Sequence, residues 1–493
     1  MYQLFHLKAK SGASLQKQIV EQIVAAIAQG HITAETPLPP SRILASQLGV
    51  ARNTVTLAYQ RLKEDGYLLS RERSGYFVNP EFLNQIPVSR PVPEPVENAQ
   101  TPDWDSRLKI SLSEQRNIRK PQDWQHYKYP FIYGQVDHSL FPTNHWRECC
   151  RDAVSVGAIR DWANDHVDND DSVLIDQIHK QILPRRGIWA EPDQILITVG
   201  AQHALYMLAR LLLSADVTVG IEDPGYVDFR NIASLSGARI RGLPIDENGL
   251  ILSPDIDECD YLYATPSHQS PTTITMSLQR RYELLERAVS SSFVIIEDDY
   301  ESEIAFSDNP TPALKSLDCN ERVIYVGSLS KTLAPGLRMG YVVGSTRFIA
   351  ELRQLRRLMI RHPAANNQRS VALFLARGYH DALTRALVGA YRERYAVLKQ
   401  ALNSYMPSAT LSESVGGSCV WVQGPAGLNA GLLRKRAAAA GILIEAGDIH
   451  FLGAEPPRNY FRLGFSSIPL EKIEPGIREL GRIADQLMND SAA

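Results

Sequence analysis

The sequence predicts a multidomain chain in which an N-terminal winged helix-turn-helix precedes a larger α/β body with large and small subdomains. Its 493 residues exceed the roughly 250–300 that one hydrophobic core usually serves. Three helical patterns and a hairpin pattern occupy residues 1–79, and strand-like apolar runs alternate with helical stretches after about residue 126. A proline-rich linker at 80–125 separates the head from the body, whose small subdomain begins at about residue 350.

Charge is unevenly distributed along the chain. Residues 1–79 contain nine Lys and Arg against five Asp and Glu, whereas the whole chain contains 52 and 55. A basic head on an acidic body suits an anionic partner at one end of the molecule, although scatter in a small sample gives the same picture.

Several classes of protein are disfavoured by composition. The five cysteines have neither CxxC spacing nor an even framework, so neither a disulfide scaffold nor a metal site is expected. Nothing near the N-terminus is typical of a signal peptide, and no apolar run approaches 18 residues. We therefore expect a cytoplasmic protein with no membrane partner.

The head elements follow from local patterns. Apolar residues recur at helical spacing from Leu15 to Ala28. The stretch "LPPSRILASQLG" predicts a second helix with Ser41 as its N-cap, and "VARNTVTLAYQRLKEDG" predicts a third that ends at Gly66. "YLLSRERSGYFV" predicts two short strands about Ser74 and Gly75, which form the wing.

The start of the third helix carries side chains suited to a DNA major groove. Arg can bond guanine and Asn adenine with two hydrogen bonds each, and a Thr hydroxyl can reach a phosphate or a base. A small module that uses this surface for protein contacts is the alternative. The candidate contacts to double-stranded operator DNA are Ser41, Arg42, Arg52, Asn53, Thr54 and Gly75.

Residues 12–78 resemble the GntR-type winged helix. The resemblance rests on Leu-Pro-Pro-Ser-x-x-Leu-Ala, Leu-Gly-Val-x-Arg-x-Thr-Val, Ala-Tyr-x-x-Leu and Gly-x-Phe-Val, all present in order. The wing keeps one glycine where the family often has two. The resemblance implies a DNA-binding head.

In the body, "VGSLSKTLAPGLRMG" presents Lys331 in a turn. A lysine amine can bond to the aldehyde of pyridoxal phosphate, whose site also needs a carboxylate at the ring nitrogen and donors at the phosphate. Asp298 and Tyr300 follow the apolar run "VII", in positions suited to the ring nitrogen and the phenolic oxygen. Further candidates are the helix-opening Gly200, Ala201 and Gln202 for the phosphate, Tyr226 for stacking, and Ser328, Ser330 and Arg338 as donors.

Each of these signals has a structural explanation when it stands alone. A strand-terminal Asp is often an N-cap, a Tyr after Pro-Gly often packs, and Gly-Ala often makes a tight turn. The ordered set favours a cofactor site, with a degenerate site that has lost its cofactor as the alternative.

Residues from about 126 onward resemble a fold-type I aminotransferase, a pyridoxal phosphate-dependent transferase fold. The whole chain resembles the MocR group of transcription regulators. That resemblance implies Lys331 as the Schiff-base residue, His268 near the ring oxygen, Arg462 for an effector carboxylate or sulfonate, and a head-to-tail homodimer. "FIYGQVDHSLFPTNHWR" resembles members that sense taurine or ectoine-derived amino acids. Two departures lie near the ligand mouth: Pro271-Thr272-Thr273 replaces Pro-Thr-Gly, and "VDNDD" replaces a Gly-Asp-x-x-Gly turn.

Three functions are compatible with these features. The favoured one is a transcription regulator that senses a small amino acid or amine through aldimine exchange at Lys331, with at most weak transaminase activity. The alternatives are a working aminotransferase with a DNA-binding head and a sensor of pyridoxal phosphate itself. Effector identity, operator sequence and sign of regulation stay open.

Overall fold

The structure, a computed structural model, describes residue 7 and residues 14–34, 37–71, 74–85, 101–307, 310–413 and 415–492. The chain divides into two compact units, Met1–Lys109 and Ile110–Ala493. Each has hydrophobic clusters of its own. The multidomain fold class predicted from the sequence is confirmed.

The first unit is a winged helix. Its described elements are α1 (Leu15–Ala28), α2 (Ser41–Leu48), α3 (Arg52–Glu64), the antiparallel hairpin β1 (Leu68–Arg71) and β2 (Gly75–Val78), α4 (Pro80–Gln85) and α5 (Trp104–Arg107). Its core buries Ile19 and Ile23 of α1 against Leu44 and Val55. The prediction of Ser41 as N-cap was wrong, because Pro40 occupies that position and Ser41 is the first helical residue.

The second unit alternates helices with the strands of a large sheet. Its described helices are α6 (Thr143–Ala153), α7 (Val156–Trp162), α8 (Ser172–Gln177), α9 (Leu183–Arg185), α10 (Gly200–Leu212), α11 (Val227–Leu235), α12 (Leu278–Ser290), α13 (Leu314–Leu317), α14 (Thr346–Ile360), α15 (Ala365–Ala376), α16 (Tyr379–Tyr405), α17 (Ala430–Ala439) and α18 (Leu470–Ala492).

Among the described residues of this unit, eight strands form the large sheet, in the spatial order β4-β11-β10-β9-β8-β5-β6-β7. The strands β5, β6, β8, β9 and β10 run parallel, whereas β11, β4 and β7 are antiparallel to their neighbours. Their bounds are β4 (Ile195–Thr198), β5 (Thr218–Asp223), β6 (Arg239–Asp246), β7 (Gly249–Leu250), β8 (Tyr261–Ala264), β9 (Val294–Asp299), β10 (Val323–Ser328) and β11 (Gly340–Val343). Ligand groups are expected at the carboxyl ends of such parallel strands.

A smaller antiparallel sheet lies within the predicted small subdomain. In the described residues it comprises β12 (Thr410–Leu411), β13 (Cys419–Gln423), β15 (Glu445–Ala446) and β16 (Tyr460–Gly464), in the order β12-β13-β16-β15. A separate parallel pair joins β3 (Tyr129–Pro130) to β14 (Ile442–Leu443).

The C-terminal part of the predicted linker, residues 110–125, packs as part of the body. Residues 110–125 belong to the second compact unit. The Arg116 guanidinium donates to the Asp448 carbonyl at 2.8 Å, and the Lys120 ammonium donates to the Tyr133 carbonyl at 2.6 Å. The linker prediction of 80–125 therefore extends too far, because long basic side chains after residue 110 find carbonyl acceptors on the body.

Candidate functional site

A cavity of about 340 Å³ lies at the carboxyl ends of the parallel strands β9 and β10. Most of the predicted cofactor and effector residues line it, although they come from distant parts of the sequence. Those in its lining are Ala201, Gln202, Tyr226, Asp298, Tyr300, Ser328, Ser330, Lys331, Arg338 and Arg462.

Lys331 presents its amine inside this cavity. Its Nζ donates a hydrogen bond to the Tyr133 hydroxyl at 3.0 Å and lies 4.2 Å from the centre of the Tyr133 ring. Burial lowers the pKa of Lys331; the Glu301 carboxylate opposes that shift and the Arg462 guanidinium adds to it. A lowered pKa increases the fraction of neutral amine, the form that attacks a carbonyl.

Asp298 is a buried carboxyl with one oxygen unsatisfied. One carboxylate oxygen accepts a hydrogen bond from the Tyr263 hydroxyl at 2.8 Å. The other, Oδ1, is buried and has no hydrogen-bond partner among the described residues. Burial raises the pKa of Asp298 to about 7. A cationic group placed at this oxygen would favour the ionised carboxylate.

An anion-binding arrangement lies where α10 begins. Gly200 opens the helix with a φ of +75°, and a Cβ on it would lie 3.1 Å from the central carbon of the Arg338 guanidinium. Arg338 itself has a φ of 51°, and its Nη2 donates to the Val199 carbonyl at 3.3 Å. A Cβ on Gly340 would lie only 2.8 Å from the Gly200 carbonyl carbon. The backbone N–H groups of a helix start, with a guanidinium beside them, suit a phosphate.

Tyr226 and the two serines differ in how their hydroxyls are used. The Tyr226 hydroxyl lies 2.8 Å from Gln202 Oε1 and 3.2 Å from Asp228 Oδ2. The Ser330 hydroxyl donates to the Met339 carbonyl and accepts from the Met339 N–H. Ser330 therefore holds the lysine turn together. Among the described residues, the Ser328 hydroxyl accepts one bond of 3.3 Å, from the Ser330 N–H, and can still donate.

His268 lies outside the lining of this cavity. Its ring packs edge-on against Tyr300, with 6.0 Å between ring centres, and its Nε2 lies 3.4 Å from Glu301 Oε2. It lines a second cavity of about 140 Å³ instead. Burial lowers the pKa of His268. Of the two residues expected near the ring oxygen, Tyr300 lines the cavity, whereas His268 packs behind it.

Arg462 is already paired with a carboxylate. Its guanidinium carbon lies 3.9 Å from the centre of the Tyr133 ring, and its Nη2 lies 2.5 Å from Glu445 Oε1. Glu445 and Arg462 are direct cross-strand partners on β15 and β16. Burial alone would raise the pKa of Glu445, but the charges of Arg462 and His450 lower it to about 2. An effector anion must share Arg462 with this internal carboxylate or displace it.

Four functional candidates escaped the sequence analysis: Tyr133, Tyr263, Glu445 and Lys120. Tyr133 reaches Lys331 from 198 positions away along the chain. Only strand pairing brings Tyr263 near Asp298 and Glu445 to Arg462. The spacing of residues within a short stretch of sequence cannot predict such contacts, because they join segments that are far apart along the chain.

In the head, the predicted DNA contacts are available to a partner. Arg42, Arg52, Asn53 and Gly75 are exposed, and Ser41 and Thr54 are half-buried. The side chains of Arg42 and Arg52 make no ion pair within the part of the chain that the structure describes. Exposed, unpaired guanidinium groups at a helix start fit contacts to bases or phosphates.

Two absences concern the described residues. They contain no cluster of three or more His, Cys, Asp or Glu side chains that could hold a metal ion. None of the helices in the described ranges combines the length and the apolar character needed to cross a membrane.

The residues of the cavity fit pyridoxal phosphate. Lys331 offers an amine for its aldehyde, and the unsatisfied oxygen of Asp298 suits a protonated ring nitrogen. The start of α10, with Arg338 and Ser328, suits its phosphate.

A first prediction concerns the pH dependence of the cofactor-free protein. Because its pKa in the folded state is about 7 and the usual unfolded value is about 3.9, Asp298 keeps its proton in the folded state over this interval. Its contribution to stability is therefore complete below about pH 4 and is lost as pH rises towards 7. Asp298→Asn cannot ionise, so its melting temperature relative to the unsubstituted protein should rise between about pH 5 and pH 7. A constant difference across that interval would contradict the prediction.

Known proteins share both units. Residues 15–78 match the family model described as bacterial regulatory proteins, gntR family, and residues 172–480 match aminotransferase class I and II. The HTH-type transcriptional regulator TauR of Rhodobacter capsulatus is 39% identical over 97% of this chain and 98% of its own length. The probable rhizopine catabolism regulatory protein MocR of Rhizobium meliloti is 28% identical over 94% and 93%.

A solved enzyme shares the fold of the body. LysN, the alpha-aminoadipate aminotransferase from Thermus thermophilus complexed with N-(5'-phosphopyridoxyl)-L-leucine, superposes with a TM-score of 0.67 and 27% identity. The match covers 76% of this chain and 96% of that one. The body is thus similar to a domain that holds a pyridoxyl group.

Proposed function

Since this chain belongs to the MocR-type family of transcription regulators, which join a GntR-type winged helix to a class I and II aminotransferase domain, we propose that its body senses a small amino acid or amine. The head is a DNA-binding domain, and the body is a pyridoxal phosphate domain. The effector changes how the head binds operator DNA.

A single observation carries the proposal: Lys331 and Arg462 line one cavity, with Tyr133 between them. Bound pyridoxal phosphate supplies an aldehyde that bonds reversibly to a primary amine. An effector with an amine and an anionic group can therefore engage the cofactor and Arg462 together.

The residues of the chain divide the work. Tyr133 holds the Lys331 amine in place, and the Asp298 carboxylate would keep the ring nitrogen of a bound cofactor protonated. Arg462 orients the anionic group of the effector. A ligand that favours one conformation of the body shifts the population of that conformation by its differential affinity. Turnover would need a base for a substrate proton, which Lys331 could supply, and a second substrate. The DNA-binding head favours sensing over sustained transamination, because a metabolic aminotransferase has no use for it.

A panel of small amines and amino acids tests this function. The protein is loaded with pyridoxal phosphate, and its visible spectrum and its affinity for an operator selected from random duplex DNA are measured together. At least one member should change both, with a coupling of about 1–3 kcal/mol. Multiple turnovers to a keto product without any effect on DNA binding would identify an aminotransferase instead. A change in DNA affinity on adding pyridoxal phosphate alone would identify a cofactor sensor.

Arg52→Ala should weaken operator binding by about 1–3 kcal/mol if Arg52 reads a base with two hydrogen bonds. Specificity at one base pair should relax as well. Arg61→Ala is the matched control, because Arg61 lies in the last turn of the same helix and pairs with Asp65 at 2.9 Å. Binding titrations against the operator and its single-base variants distinguish this role from a phosphate contact. A phosphate contact would cost affinity equally on all sequences and reduce the salt slope by about one.

We further propose that the protein acts as a homodimer in which the two chains are arranged head to tail. One winged helix makes few contacts, so two linked heads on two half-sites gain affinity through avidity. Residues 1–79 alone should therefore bind the operator at least about tenfold more weakly than the full chain. Equal affinity of the fragment and the full chain, measured by the same titration, would contradict the dimeric arrangement.

A further inference from the structure

Residues 115–121, here called the strap, lie on the body at the edge of the cavity. Arg116 donates to the Asp448 carbonyl at 2.8 Å. Asn231 donates to the Arg116 carbonyl at 3.1 Å and to the Asn117 side chain at 2.8 Å. The strap is thus held by backbone and amide groups of the body, and Ile118 and Lys120 of the strap line the cavity.

The ammonium of Lys120 lies close to the amine of Lys331. The Lys120 Nζ donates to the Tyr133 carbonyl at 2.6 Å. A Cβ placed on Gly134 would lie 3.2 Å from the Lys120 Nζ and 3.3 Å from the Lys331 Nζ. The two amines therefore converge on one point, and because Lys120 is exposed as well as lining the cavity, it stands at the opening.

The charge of Lys120 is not compensated by an ion pair. Within the described ranges no carboxylate lies within ion-pair distance of its Nζ, whereas Arg462 is neutralised by Glu445. Although the side chain of Lys120 as a whole is exposed, its ammonium end lies among protein atoms. This local burial, together with the charges of Lys331 and Arg462, lowers the pKa of Lys120 to about 8 against the opposing charges of Glu445 and Asp228, so the ammonium is still mostly protonated near neutral pH. Lys120 and Arg462 thus both interact with the negative charge of Glu445 at this end of the cavity, but Arg462 is the one that pairs with it directly.

We propose that Lys120 is a second cationic contact, beside Arg462, for the anionic group of a short amino sulfonate or amino carboxylate. The inference rests on the proposed function and names the chemical class of its effector. Since Lys331 and Lys120 approach the same point, the amine and the anion of the ligand are separated by only a few bonds. An uncharged amine of the same length lacks this contact.

Binding at Lys120 also fixes the strap. The strap continues the chain that leads from the first unit, and its anchor Asp448 lies three positions after Glu445, the partner of Arg462. An anion shared by Lys120 and Arg462 therefore contacts the strap and also Arg462, whose partner Glu445 lies on the segment that anchors the strap. Occupancy of the cavity thereby restrains the body end of the connection to the head.

Three probes of matched length test the inference: taurine, β-alanine and ethanolamine, titrated by calorimetry into the cofactor-loaded full chain. The intact protein should prefer the two anionic probes to ethanolamine. Lys120→Met should reduce that preference about tenfold, because a charge-assisted hydrogen bond is lost. Affinity for ethanolamine should change less than about twofold, and Lys120→Arg should retain the preference. Arg119→Met, which removes a strap cation outside the lining of this cavity, should behave as the intact protein.

Hydrogen exchange supplies a readout that does not depend on turnover. Taurine should slow exchange of the backbone amides of residues 115–121 in the intact protein and in Arg119→Met, but not in Lys120→Met. If Lys120→Met keeps the full preference for anionic probes and still shows slowed exchange with taurine, the inference is wrong. The proposed function is unaffected by that result as long as the variant still responds to amines. The inference is also wrong if other amines change the spectrum and the operator affinity but none of the three probes binds. If no amine in the panel changes the spectrum or the operator affinity, the proposed function itself is wrong.

Discussion

Replacing Lys331 by alanine should abolish covalent attachment of the cofactor and every response of the protein to amines. Of the two lysines that line the cavity, Lys331 is the one whose Nζ bonds the Tyr133 hydroxyl, and burial lowers its pKa, which increases its fraction of neutral amine. Borohydride reduction followed by peptide mass spectrometry should place the adduct on Lys331 in the intact protein and find none in the variant.

This experiment also distinguishes Lys331 from Lys120 as the lysine that carries the cofactor. Lys120 lies in the same cavity and has a lowered pKa of about 8, so it is the lysine best placed to substitute for Lys331. An adduct on Lys120 in the intact protein would contradict the assignment of Lys331. Operator affinity serves as the folding control: the variant should keep the affinity of the full chain, whereas a misfolded body would reduce it to that of residues 1–79 alone.

Removing Arg462 should abolish the response to anionic effectors, but the single substitution has a second effect. Arg462→Met leaves Glu445 mostly buried without its arginine partner and with the His450 ring nitrogen, at 3.1 Å, as its remaining contact among the described residues, which should destabilise the body by up to about 3–5 kcal/mol. Substituting both partners, Arg462→Met with Glu445→Gln, removes the charge pair as a unit and should recover most of that loss.

The two variants separate anion recognition from folding. Both should bind pyridoxal phosphate and lose the effect of the anionic effector on operator affinity, whereas only the single variant should show a much lower melting temperature. A double variant that responds to the effector as the intact protein does would show that Arg462 serves only to hold β15 against β16.

The parts of the fold that follow from local pattern could be predicted from the sequence. Helical periodicity and glycine stops located the helices of the head, and short apolar runs ending in polar residues located the strands that deliver Asp298 and Lys331. Asp298 could be found because a buried parallel strand delivers whatever follows its apolar run to the same edge of the sheet.

The residues that escaped prediction depend on contacts between distant segments. Glu445 faces Arg462 only because β15 pairs with β16, and Lys120 reaches the cavity only because the strap finds acceptors on the body. Thr273 shows a different limit. It adopts a φ of 66°, in the left-handed region that favours glycine, and this conformation disfavours a β-branched residue by about 1–2 kcal/mol. Hydrogen bonds of its backbone N–H and of its neighbours to Gln269 hold it there.

The close approach of Gly200, Arg338 and Gly340 has a consequence for anyone who wishes to evolve a biosensor from this chain. A side chain at either glycine would collide with the guanidinium or with the backbone of the helix start. Libraries that randomise these positions would consist mostly of clones that have lost the cofactor, whatever ligand is selected for. Diversity belongs instead in the strap and around Glu445, where a new ligand can be accommodated while the chromophore that reports it stays in place.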